Sequence, residues 1–405
     1  MLVHVGCGVT RHWTFAAHPT FVDGVALTAG VSTIFNLIFA VPTLIVMIRW
    51  LWPLPLPLWV KIATGLLMLA ASQFHLWSRL SSGSVFAPEF PRPFVILFNW
   101  AFGALLLLAL FQLVLDLGTL ITMLVRHAAI HQPASLRYAA AGLAAVLAAI
   151  GVANALRVPP VKDVTVMVRH LPRSFDGYRI VQLTDLHISR LFSASWAQAV
   201  VKRTNAAGAD LIVVTGDFID GSLAMRRDDV EPLQRLSAPD GLYAIPGNHE
   251  YFFNYGEWMR HLSAMGFHLL TNAHAVIDRD GDQLVVAGVT DLSARGAGEE
   301  APDLERALRG TPAGAPIVLL DHQPRNAAAA AARGVALQLS GHTHGGMIVG
   351  LDRLVARGNA GFVSGRYAVG DMTLYVSNGT GLWPGFALRL GVPSEITRFT
   401  LRPMT

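Results

Sequence analysis

Four long apolar runs dominate the first 157 residues, at about 25–48, 58–77, 94–125 and 138–156. Each is near or above the ~20 residues that carry a helix across ~30 Å of hydrocarbon. Eight Lys or Arg and three Asp or Glu stand in this stretch, against 23 and 24 in the remainder. The overall charged fraction of 14% is therefore low for a local reason; soluble chains average ~25%. Such a chain is expected to divide near residue 157 into a four-helix transmembrane region, 1–157, and a water-facing domain, 158–405. Pro42 inside the first run is tolerable in a membrane helix as a kink. The link Trp52-Pro53-Leu54-Pro55-Leu56-Pro57 cannot continue a helix and makes a tight turn. Trp50, Trp52, Trp59 and Trp77 cluster at run ends, where interfacial aromatics collect.

Residues 1–24 lack the basic start and clean apolar block of a signal peptide and read as a short interfacial lead-in. Asn36, Gln73, His75, Asn99 and Gln112 are the polar residues in or near the runs, and hydrogen bonds between helices are their expected role. Four spans put both ends of the region on one side, with Arg11, Arg79, Arg92, Arg157 and Lys162. The other side holds Arg49, Lys61, Arg126 and Arg137. Five against four leans towards a multi-pass cell-membrane protein with a cytoplasmic catalytic domain. The net charge of +4 arises from the first region, so a basic surface for gripping nucleic acid is not expected. One cysteine, Cys7, excludes an intrachain disulfide.

From Val158 the pattern changes. Val158-Pro159-Pro160 reads as a linker. Strands are expected at 164–168, 178–184, 210–215, 242–245, 316–320 and 335–339. A hairpin over 274–288 turns at Asp280-Gly281. Further strands are expected near 364–369, 372–376 and 394–401, and helices at 194–207, 228–236, 256–265 and 325–333. Strands alternating with helices, followed by a strand-rich tail, suggest an α/β domain of two packed β-sheets flanked by helices, an αββα sandwich.

Five of these strands end in polar groups: Asp185 and His187; Asp217; Asn248 and His249; His322; His342 and His344. Loops at strand carboxyl ends carry function on a rigid sheet. In extended chain, residues i and i+2 point the same way, so His342 and His344 can reach one place. Carboxylate, amide oxygen and imidazole without thiolate suit Mn, Fe or Zn. So many ligands exceed one zinc, and two ions sharing a carboxylate would use them.

Asp185-x-His187, Gly216-Asp217-x-x-Asp220, Gly247-Asn248-His249-Glu250, His322 and Gly341-His342-x-His344, in this order, resemble the calcineurin-like metallophosphoesterases over roughly 164–401. The tail Tyr375-Val376-Ser377-Asn378-Gly379-Thr380-Gly381, with Arg389-Leu390 and Pro393-Ser394-Glu395-Ile396, is similar to the membrane-associated bacterial branch. Ser189 and Met347 stand where Gly and Gln are expected there. The resemblance implies two divalent ions as cofactors. One is held by Asp185, His187 and His344, the other by Asn248, His322 and His342, and Asp217 bridges them. It implies a substrate-facing His249, and in-line attack of a hydroxide held between the ions on a phosphodiester or pyrophosphate. The expected partners are a phosphoester substrate, a membrane lipid among the candidates, and the bilayer itself. Members of the broad family include hydrolases of UDP-diacylglucosamine. Asp220 and Glu250 are expected either to orient ligands or to cap and decorate the surface. Asn378 and Arg389 read as an ordinary loop residue and a solvated strand residue, with contact to substrate phosphate as the alternative, and Arg226-Arg227-Asp228-Asp229 as a charge cluster at a helix start. The competing reading is a membrane sensor or transporter whose second domain binds metal or nucleotide without turnover.

Overall fold

The computed structural model describes residues 40–404. The expected lead-in, most of the first run, Cys7 and Asn36 lie outside the described residues. Five helices come first: α1 (Ala40–Leu51), α2 (Leu58–Ser72), α3 (Phe74–Ser82), α4 (Arg92–Arg126) and α5 (Ala134–Leu156). Pro57, Pro91 and Pro133, all extended, precede α2, α4 and α5. A proline there removes no helical hydrogen bond. Among the described helices, α4 and α5 are long and apolar enough to cross a membrane. The outer half of α4 exposes Leu113, Val114, Leu117, Ile121 and Leu124, a surface that suits hydrocarbon better than water.

The run over 58–77 is not one helix. Gln73 leaves helical geometry at φ −93° and ψ 28°, and α2, at 15 residues, falls short of the expected span. The reason is tertiary: Phe74, His75 and Ser78 of α3 are buried, and Phe74 joins the core beneath the second domain. After α3 the chain turns at Gly83 in the left-handed region, and residues 83–91 run towards the strand ends of that domain.

Twelve strands follow: β1 (Val161–Val168), β2 (Arg179–Leu183), β3 (Leu211–Thr215), β4 (Leu242–Ile245), β5 (His268–Leu269), β6 (Ala273–Arg279), β7 (Asp282–Gly288), β8 (Ile317–Leu320), β9 (Leu337–Ser340), β10 (Gly365–Val369), β11 (Met372–Val376) and β12 (Ile396–Pro403). They form two six-stranded mixed sheets, ordered β1-β12-β2-β3-β4-β5 and β10-β11-β9-β8-β7-β6. The alternating β-branched strands pack face to face through Val166, Ile180, Val213, Val286, Leu320, Leu339 and Phe399, all buried. The outer faces are covered by α6 (Ala194–Asn205), α7 (Leu223–Val230) and α8 (Tyr255–Ala264) on the first sheet, and by α9 (Leu304–Leu308) and α10 (Ala327–Ala332) on the second. The expected two-sheet, helix-flanked arrangement is the observed one.

The two regions are packed together rather than tethered. Residues 381–391 of the second region cross α4 and α5. Leu388 is buried against Gly103 and Gly151, where any β-carbon would crowd it. The Asn99 side chain accepts from Ala387 N (2.7 Å) and donates to Pro384 O (2.9 Å). Arg389 N donates to Gly151 O (3.0 Å).

Candidate metal centre

The ends of β2, β3, β4, β8 and β9 meet at one rim, because these strands run parallel within each sheet and the two sheets are stacked. All eight candidate residues converge there. Ligand-type atoms of Asp185, His187 and His344 cluster in one group, and those of Asp217, His322 and His342 in a second. A third grouping of His187, Asp217 and His249 overlaps both. Asn248 Oδ1 lies 3.0 Å from His322 Nε2 and 2.8 Å from His342 Nδ1.

The backbone is bent hard to achieve this. Asp185, His187, Asp217, His342 and His344 have φ of 53°, 46°, 55°, 69° and 50°. Left-handed geometry is uncommon for non-glycine residues and costs roughly 1–3 kcal/mol each where it is strained. The bends are held by bonds between loops: Asp185 N to Gly216 O (3.0 Å), His187 N to Asp217 O (3.0 Å) and Gly341 N to His322 O (3.0 Å). Gly341 and Gly247 are needed where they stand. A β-carbon on Gly341 would overlap the Thr184 hydroxyl and the Asp185 carboxylate, and one on Gly247 would overlap Asp217.

The outer contacts orient the imidazoles. His322 Nδ1 lies 2.7 Å from Thr215 O, which can only accept. Its Nε2 then faces Asn248 Oδ1 and Asp217 Oδ2 (3.3 Å), both acceptors. His187 Nδ1 is tied to Asp220 Oδ2 (3.0 Å), and its Nε2 faces His344 Nε2 at 3.2 Å. Two imidazole nitrogens that face each other this closely would both reach a shared cation at the usual ~2.1 Å. Acceptors turned towards acceptors, in a buried place, fit cations between them, so the donor set suits a dimetal centre.

Asp220 and Glu250, left open between orienting and surface roles, are both fully buried and both orient. Asp220 Oδ1 also takes His249 Nδ1, at 2.5 Å. The Glu250 carboxylate accepts from Gly247 N (2.6 Å), Phe218 N (2.8 Å) and Asp217 N (3.0 Å). Burial opposes charge on His249, but Asp217 and Asp220 outweigh it and raise its pKa to about 9.

Arg389 is buried rather than solvated. Its guanidinium donates to the carbonyls of His344 (3.1 Å), Asn378 (2.6 Å) and Gly381 (3.0 Å), clamping the loop that carries His344. The cluster at 226–229 is not a mere helix start. The helix begins at Leu223, and Arg226 is fully buried, donating to Asp220 O (2.9 Å) and pairing with Glu89. The sequence reading missed Glu89 and Phe86, because both lie in a loop of the first region. Phe86 stands 5.2 Å, ring to ring, from His249.

A family model described as calcineurin-like phosphoesterase matches residues 178–346. A zebrafish (Danio rerio) "transmembrane protein with metallophosphoesterase domain" is 37% identical over 272 residues, covering 64% of this chain and 61% of that protein. A Campylobacter jejuni protein described as an uncharacterized metallophosphoesterase is 34% identical, covering 62% and 65%. One from Bacillus subtilis, described in the same way, is 33% identical, covering 57% of this chain and 82% of its own length. The match thus spans under two thirds of the zebrafish and Campylobacter relatives.

Proposed function

The chain belongs to the calcineurin-like metallophosphoesterase family, and from that premise we propose that it is a membrane-anchored dimetal phosphohydrolase. The observation that carries the proposal is the pair of ligand clusters set side by side across Asp217, whose Oδ2 lies 3.7 Å from His187 Nε2 and 3.3 Å from His322 Nε2, with His249 beside them on Asp220. In this reading residues 1–157 anchor the enzyme and 158–405 do the chemistry. Asp185, His187 and His344 hold one divalent ion, Asn248, His322 and His342 the other, and Asp217 both; Mn, Fe and Zn all suit the donors. When bound, such a pair supplies Lewis acidity to the phosphoryl oxygens and a nucleophile at neutral pH. The chain's own residues do the rest. Asp220 holds His249 by Nδ1 and leaves Nε2 for substrate. A water oxygen bonds to phosphorus as the opposite ester oxygen departs, and His249 gives that oxygen a proton or stabilises its charge.

The substrate class we favour is a lipid-linked phosphodiester or pyrophosphate, because residues 83–91 and 381–391 join the rim that carries the site to the apolar helices. The zebrafish relative's name supports membrane attachment. The charge balance of the flanking segments favours a cytoplasmic site. The deciding experiment is metal analysis and Mn-dependent hydrolysis of bis(p-nitrophenyl) phosphate by the full chain in detergent. Two ions per chain with turnover is the expected result. Bound metal without turnover on any diester, pyrophosphate or lipid substrate instead favours the sensor or transporter.

A further inference from the structure

We propose that the cavity between the end of α5 and residues 389–394 is a phosphate-binding site, separate from the metal centre. It measures about 330 Å³, and its lining includes Asn154, Arg157, Pro159, Arg389 and Ser394. Arg389 and Ser394 are 1% and 6% exposed, and Arg389 Nε and Ser394 Oγ have no hydrogen-bond partner. A guanidinium N–H can only donate, and a serine hydroxyl can donate as well. Both therefore lack an acceptor. A buried donor left without one is costly, so two beside one cavity mark a missing partner.

The charge balance selects an anion. The other guanidinium nitrogens of Arg389 bond only to neutral carbonyls, those of His344, Val392, Asn378 and Gly381. Asp185 belongs to the first ligand cluster, and Glu395 pairs with Lys162 (2.7 Å). Arg389 is thus a buried cation with no carboxylate of its own, which favours a counter-ion. Arg157 adds a second guanidinium, exposed at the edge of the cavity. Among the described residues, no Asp or Glu lines it. Two guanidiniums and a hydroxyl around one space match a phosphate group, whose several oxygens accept from all three. The wall is held in shape: Arg203 donates to the carbonyls of Val158 (2.8 Å) and Pro159 (2.9 Å), and Asn154 to that of Arg389 (3.3 Å). α5, long and apolar enough to cross a membrane, ends at Leu156. In the membrane-anchored reading the cavity therefore lies at the depth of lipid headgroups. A lipid phosphate and free phosphate present the same oxygens to it.

Native mass spectrometry on the Mn-loaded full chain, released from detergent, tests this with three probes. They are inorganic phosphate, dioleoylphosphatidylglycerol, and dioleoylglycerol, which has the chains without the phosphate. The wild type is compared with Arg157→Gln/Ser394→Ala, which leaves Arg389 and the metal residues in place. Neither replaced side chain makes a hydrogen bond or ion pair among the described residues, so the fold should survive. Arg157→Gln alone, a surface change, is the second variant. Phosphate held at the metal centre is common to all three proteins and cancels. Titration should give a phosphate-bearing probe an affinity at least about tenfold higher in the wild type than in the double variant, the scale of one charge-assisted hydrogen bond. That difference for phosphatidylglycerol, undisturbed by millimolar phosphate, makes the ligand a lipid headgroup. The same difference for inorganic phosphate, which then displaces the lipid, makes it free phosphate. Either result upholds the site. Wild type and variants that bind both phosphate-bearing probes alike overturn it. So does phosphatidylglycerol bound no more tightly than dioleoylglycerol, when inorganic phosphate shows no difference between the proteins.

Discussion

Asp217 and His249 lie 32 positions apart and are joined by a bond from His249 N to Asp217 Oδ1, yet removing each should do different things. Asp217→Asn takes one negative charge from both clusters at once. It should abolish turnover and reduce metal content to one ion per chain or fewer by elemental analysis. His249→Asn leaves both clusters complete. It should keep two ions and lose at least ~10²-fold in kcat, the scale of a general acid. Metal loss in that variant would make His249 a ligand, as its overlap with His187 and Asp217 allows. Gly341→Ala is a test of packing at the same rim. The new methyl group displaces the Asp185 carboxylate, so metal affinity should fall at least tenfold, the lower end for disturbing a ligand's support. Unchanged affinity would mean the loop yields more easily than its bonds suggest.

At the scale of elements, the loop between α3 and α4 links the helices to the catalytic rim. Glu89 pairs with Arg226, which is fully buried and also holds the backbone at Asp220. Asp220 in turn supports His187 and His249. Glu89→Ala leaves a buried guanidinium without its carboxylate, a loss of about 3 kcal/mol. Thermal unfolding of the full chain in detergent should report a lowered Tm, and Glu89→Asp should recover part of it. An unchanged Tm for Glu89→Ala would show that Asp229, 3.6 Å from Arg226, suffices.

For the whole molecule, the packing of 381–391 on α4 and α5 makes the second region dependent on the first. Residues 158–405 expressed alone would expose Phe386, Leu388 and Leu390, now set among the helices. They should aggregate without detergent; a monodisperse, metal-loaded fragment with the full chain's Tm would contradict this. Reporter fusions after residue 160 and within 128–136 should fall on opposite sides of the membrane, because α5 lies between them. The fusion after 160 is expected in the cytoplasm, and a periplasmic signal there would reverse the proposed orientation.

The residues that converge at the rim were readable from the chain because their pattern is local: polar residue types, in order, with glycines at strand ends. The sheets were readable for a similar reason, since buried strands announce themselves by short β-branched runs between turns. His268–Leu269 carries no such run, and this two-residue strand exists only because β4 offers it an edge. The left-handed bends at Asp185 and His342 have no local signal either, being held by bonds from other loops. The helix break at Gln73, the burial of Arg226 by a carboxylate 137 positions away, and the arrival of Phe86 beside His249 all depend on how two bodies pack. Periodicity records which face of a segment is buried; the partner that buries it is decided only when distant surfaces meet.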